Sequence, residues 1–108
     1  MNLYETDAEF MERFERFAFT EIVNENGIKL DDETRYMSIL ASLIGCQGVD
    51  AYKVIVAKAL DSGLSPMVIK EIVYQSVDYL GMGRVWPFLV ATNVVCLLYT
   101  SPSPRDCS

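Results

Sequence analysis

Glu71, Gln75 and Tyr79 follow one another at four-residue intervals, which places a carboxylate, an amide and a phenol on one face of a helix. Asp78 lies beside them, and Arg84 comes just past a glycine turn. Burial raises a carboxyl pKa, so a partly buried Glu71 would serve as a base, while Arg84 would hold a carboxylate or enolate through two parallel hydrogen bonds. The competing reading is a solvated helix face on which Glu71 makes only a structural hydrogen bond.

Cys46 is the other candidate. It stands ahead of the amphipathic segment Val49 to Leu60, where a turn would expose it. A lone thiolate reduces peroxide if another thiol resolves it. Set among Leu43, Ile44 and Val49, the same side chain also reads as a small buried hydrophobe. The chain has three cysteines without C-x-x-C spacing and no histidine, which leaves neither a zinc site nor an imidazole for proton exchange near neutral pH. No metal and no organic cofactor are expected.

Helices must position these groups. Thr6 and Glu9 have capping-box spacing, and Phe10, Phe14, Phe17, Ala18 and Ile22 then recur on a helical period until Gly27. This phenylalanine stripe is expected in a core or an oligomer interface. Asp31 or Asp32 caps a second helix with Tyr36, Met37, Leu40, Leu43 and Ile44 on its apolar face and Gly48 as its stop. Asp50 opens a third, striped by Val49, Tyr52, Val56 and Leu60 and ended by Gly63. Ser65-Pro66 is an N-cap followed by N1, and Ile69, Ile72, Val73, Ser76 and Leu80 form the inner face of a fourth. Gly81 and Gly83 break the pattern, and a fifth helix is predicted over Val85 to about Val95, with Pro87 tolerated in its first turn. With no strand-like alternation, the expected fold is all-α, a bundle of about five helices.

A chain of 108 residues is at most one small domain, and its positive mean hydropathy predicts apolar surface covered by another copy or another domain, a homo-oligomer being the expected solution. The net charge of −6 opposes binding to nucleic acid and to anionic membranes. An acidic N-terminus carries no secretory signal, and the run Val85 to Tyr99 is short and interrupted by Pro87, Thr92 and Asn93. A cytoplasmic homo-oligomer without a membrane span is therefore expected, with a small-molecule substrate as its partner.

The last residues, CLLYTSPSPRDCS, turn abruptly rich in serine and proline. From Cys96 to Asp106 they resemble the codon-by-codon translation of a common transposase sequencing adapter. Residues 96–108 are thus expected to be a disordered, non-native tail, and residues 1–95 the folded domain.

The stretches LDDETRYMSILASLIG and VIVAKALDSGLSPMVIKEIVYQSVDYLGMG resemble the carboxymuconolactone decarboxylase family, which shares its all-α fold with alkylhydroperoxidase D. The resemblance covers roughly Phe14 to Val95 and is firmest at Leu30-Asp31, Thr34-Arg35, Ala59-Leu60, Gly63, Ile69, Glu71, Tyr79 and Gly81. It implies assembly as a trimer or hexamer, and in some related chains a second copy of the domain.

It also implies reactive groups that are missing here. The peroxidase branch uses C-x-x-C-x-x-x-H, and these positions fall on Gly48, Ala51 and Ile55. The decarboxylase branch has histidine at the position of Ile55 and often another at that of Gln75. The resemblance implies a decarboxylase-type lyase acting on a small lactone or related organic acid without those groups, and the residues' own chemistry leaves Glu71, Gln75 and Tyr79 as catalytic candidates and Arg84 and Cys46 as substrate-binding ones. The alternatives are a thiol peroxidase working through Cys46 and a catalytically silent oligomeric binding or scaffold protein.

Overall fold

The computed structural model describes residues 2–22 and 30–99, in which the helical periodicity of the sequence becomes helices joined by short turns, with no strand among the described residues. The chain divides into two units, Met1–Asp31 and Asp32–Ser108.

In the first unit, α1 (Leu3–Thr6) precedes α2 (Ala8–Arg16), which runs on through a π-helical turn at Phe17–Glu21. The helix expected from a Thr6 cap is present, but it starts at Ala8 and is preceded by a separate first turn. Asn2 caps that first turn, its Oδ1 accepting the Tyr4 N–H at 2.9 Å, and Asp7 is the N-cap of α2 in place of Thr6, without a side-chain cap bond. The Thr6 hydroxyl instead donates to the Asp7 carboxylate at 2.8 Å, and Asp7 breaks the helix at φ −131°, ψ 50°. On α2 Met11 is buried, whereas Phe10, Phe14 and Phe17 are all exposed, so the phenylalanine stripe is not core. The expected continuation to Gly27 lies, from Val23, outside the described residues.

The second unit holds α3 (Asp32–Gly45), α4 (Val49–Asp61), α5 (Pro66–Leu80) and α6 (Met82–Tyr99). Each packs on two others, in the ring α3–α4–α6–α5. Leu40 and Ile44 from α3, Tyr52, Val56 and Ala59 from α4, Ile69 and Val73 from α5, and Val85, Phe88 and Ala91 from α6 fill the centre. Burying a large aliphatic or aromatic side chain contributes about 1.5–3 kcal/mol, and this shared core holds the ring together. Inside it the Tyr52 and Phe88 rings meet edge to face with centroids 5.1 Å apart.

The turns follow their residues. Ser65 caps α5, its Oγ accepting the Met67 N–H at 3.2 Å, and Pro66 occupies N1 where its lack of an N–H costs nothing. After α4, Gly63 takes a left-handed φ of 101°, and the pair Gly63 N–H to Leu60 O and Leu64 N–H to Ala59 O closes a Schellman motif. After α3 the same motif recurs, Gln47 N–H to Ile44 O and Gly48 N–H to Leu43 O, but the left-handed residue is Gln47, at φ 65°. Gly48, expected as the stop, is the residue after the turn.

Two expectations for α6 are corrected. Gly83 lies inside the helix, which starts at Met82, so Pro87 falls in the second turn instead of the first. Pro87 has no N–H to offer the Gly83 carbonyl one turn back. At the other end the helix continues to Tyr99 with Cys96 buried, which corrects the expectation of disorder for residues 96–99; residues 100–108 lie outside the described residues. At 18 residues α6 is long and apolar enough to cross a membrane by length and composition alone. One side of it, with Val85, Phe88, Ala91, Thr92 and Val95, is core.

Candidate functional site

The four-residue spacing of Glu71, Gln75 and Tyr79 does set them on one side of α5, and that side borders an open groove of about 720 Å³ between α5 and α3. Met37 and Ala41 from α3 and Val68 and Ile72 from α5 supply its apolar lining. Its polar lining comes from Glu33, Thr34 and Ser38 on one helix and Glu71, Gln75, Ser76 and Tyr79 on the other.

Within it the Gln75 Nε2–H donates to Glu71 Oε1 at 2.8 Å. This bond holds one carboxylate oxygen, Oε1. The two serines are turned inward on their own helices: Ser38 Oγ donates to the Thr34 carbonyl at 2.9 Å and Ser76 Oγ to the Ile72 carbonyl at 2.8 Å. With their protons committed, both hydroxyls present lone pairs.

The partial burial expected of Glu71 is not found. Glu71 and Gln75 are both exposed, and Tyr79 is 88% exposed at the groove's edge. Arg84, on the first turn of α6, is exposed and does not line the groove, so the cation expected opposite Glu71 is not brought there. Cys46 does not line it either. Its thiol sits in the turn after α3, exposed and 3.6 Å from the Leu43 carbonyl, which overturns the reading of Cys46 as a buried hydrophobe. Among the described residues no three His, Cys, Asp or Glu side chains converge as metal ligands would.

The positions that resemble the family's reactive ones are scattered with respect to the groove. Gln75 borders it, while Gly48, Ala51 and Ile55 do not. Ile55 is buried in the α4 side of the core and Ala51 is exposed.

Two polar features escaped the sequence reading. Tyr52 lies fully buried on α4 with its hydroxyl 2.6 Å from Thr92 Oγ1 on α6, and burial pushes the phenol up to about 12. Lys70, flanked by the buried Ile69, is itself buried on α5, and desolvation holds its ammonium below the usual lysine range. In the sequence Tyr52 falls on an apolar stripe, and the signal for its partner is a threonine in a largely apolar helix.

No curated protein and no solved structure matches the chain. The helices from α2 through most of α6 do coincide with one family model, that of the carboxymuconolactone decarboxylase family, which matches residues 8–93, and the chain belongs to that family.

Proposed function

We propose that the protein is an enzyme of the decarboxylase type that acts on a small lactone or related organic acid bound between α3 and α5. The observation that carries this reading is the Gln75–Glu71 hydrogen bond on the wall of a groove with an apolar lining. Gln75 holds Oε1, so Oε2 is the atom through which a solvent proton reaches the carbon that loses CO2, where it forms a C–H bond with the electron pair that the broken C–C bond leaves on the lactone enolate, and the apolar side chains of Met37 and Ile72 hold the ring. Tyr79, at the edge, donates to the carbonyl oxygen once a substrate covers it. A positioned proton-transfer group supplies roughly 10²- to 10⁴-fold in rate. Glu71→Gln should therefore cut kcat/KM for any lactone turned over by about that factor, and an unchanged rate would remove Glu71 from the chemistry.

A second reading, a silent binding protein, is supported by the openness of the groove and the exposure of Tyr79. Saturable turnover by the wild type excludes it. Homo-oligomeric assembly is supported by Trp86 and Val90, exposed one turn apart on α6. Light scattering on the purified chain decides it; a monomer at high concentration is the contrary result.

A further inference from the structure

We infer that the solvent-facing stripe of α6, with Trp86, Val90 and Val94, is the contact between two copies of the chain, packed antiparallel about a two-fold axis at Val90. This rests on the homo-oligomeric reading and gives it a surface and a direction; it is independent of the chemistry in the groove.

The stripe lies opposite the face of α6 that is core. Trp86, Val90 and Val94 follow at four-residue intervals and Leu97 continues the row; all four are exposed, Trp86 by 59%. With the exposed Met82 at its start, the row offers roughly 500 Å² of apolar surface per copy, in the upper part of the range for a single patch on a monomer. Two such rows reach about 1,000 Å², where specific interfaces begin.

The character of the row selects its occupant. From Val85 to Tyr99 the helix has no Asp, Glu, Lys or Arg, so pairing two copies strips no charge of its water. A lipid surface fits less well, although α6 is long and apolar enough to span a bilayer. Its other face is bound into the bundle by Val85, Phe88 and Val95 and by the Tyr52–Thr92 contact. A helix lying in a membrane interface draws on flanking cations, and α6 has Arg84 alone, in a chain of net charge −6.

Side-chain size sets the direction. Trp86 and Val94 stand equally far from Val90, one turn to either side. An antiparallel pair with its two-fold axis at Val90 therefore sets each indole on the partner's Val94, large against small at both ends, and brings the two Val90 side chains together on the axis. The helix dipoles then oppose each other, which is favourable. A parallel pair would stack indole on indole at one end and hold the valines apart at the other.

Trp86 is the only tryptophan of the chain, so its emission reads this surface directly. Raising the concentration of the whole chain should move that emission to shorter wavelength and protect it from iodide, while sedimentation shows the mass rising to an even number of copies. Val90→Glu sets two carboxylates against each other on the axis and should raise the dissociation constant at least about a hundredfold, with an unchanged thermal transition showing that the bundle is intact. Direction is read by oxidising a mixture of Trp86→Cys and Val94→Cys chains: mass spectrometry should find residue 86 of one chain joined to residue 94 of the other, and neither position joined to its own kind. A chain that stays monomeric at high concentration, an odd number of copies, or residue 86 joined to residue 86 overturns the inference. So does a Trp86 shift that needs phosphatidylcholine vesicles while the chain stays monomeric, which makes lipid the occupant. An oligomer that Val90→Glu leaves whole keeps the homo-oligomeric reading and removes α6 as its surface.

Discussion

Tyr52 and Thr92 join α4 to α6 through a 2.6 Å contact between their hydroxyl oxygens in the core. Thr92 has one proton, which it donates to the Phe88 carbonyl at 2.7 Å, so Tyr52 is the donor in the pair. The two substitutions that break the bond should differ in cost. Tyr52→Phe removes the donor and leaves Thr92 with its carbonyl partner, a loss of about 0.5–1.5 kcal/mol. Thr92→Val strands a buried phenol and should cost about 1–3 kcal/mol. Urea unfolding of both variants and their double checks this, with the double less destabilised than the sum of the singles.

The same phenol makes stability depend on alkaline pH. Burial pushes Tyr52 up to about 12 from an unfolded value near 10. The raised value means that the neutral form is favoured in the folded chain, so the contribution is complete below pH 10 and is lost as pH rises from 10 to 12. The slope is at most about 1.4 kcal/mol per pH unit in that window. Tyr52→Phe should flatten this part of the stability profile; equal slopes for wild type and variant would contradict it.

Two helix ends in the bundle share one motif and differ in its left-handed residue, Gly63 after α4 and Gln47 after α3. A side chain at a left-handed position costs about 1 kcal/mol, and the Gln47 amide recovers part of it by donating to the Ile44 carbonyl at 2.8 Å. Gln47→Gly is thus expected to raise stability by about 0.5 kcal/mol, seen as a higher melting temperature. A drop would mean that the side-chain bond outweighs the strain.

Gly81, between α5 and α6, has φ 87° and ψ 152°, a region open essentially to glycine alone. A Cβ added there meets nothing within 4 Å, so the expected penalty for Gly81→Ala is purely conformational, about 1–3 kcal/mol. Gly83→Ala is the control. It is helical, also has open space around its Cβ, and should be neutral or slightly stabilising by denaturant titration.

The bundle was legible because its signals are local: Ser65-Pro66 and Gly63 mark ends that depend on neighbouring residues alone, and both stand where they were expected. Gln47 was missed because nothing in a glutamine announces a left-handed turn; the hydrogen bonds at both ends of the turn hold it there. The row Glu71, Gln75 and Tyr79 was readable as one helix face, but its burial depends on what packs opposite. Arg84 shows the limit most clearly: a glycine turn at Gly81 redirects the chain, and closeness in sequence did not become closeness in space.

Ile55 stands where the decarboxylase branch of the family carries histidine, and it is buried 93% by the core of the second unit, away from the α3–α5 groove. Restoring the family residue by Ile55→His should therefore cost stability without creating activity in the groove. Loss of apolar packing and burial of an imidazole are together worth roughly 2–4 kcal/mol at pH 8. Burial depresses the pKa of a histidine, so the variant should lose further stability as pH falls below the unfolded value near 6.5 while the wild type does not. Thermal melts at pH 8 and pH 5 give the comparison. A variant as stable as wild type at both, or one that gains lactone turnover, would show that the position reaches solvent and that the reaction centre lies on the α4 side of the bundle.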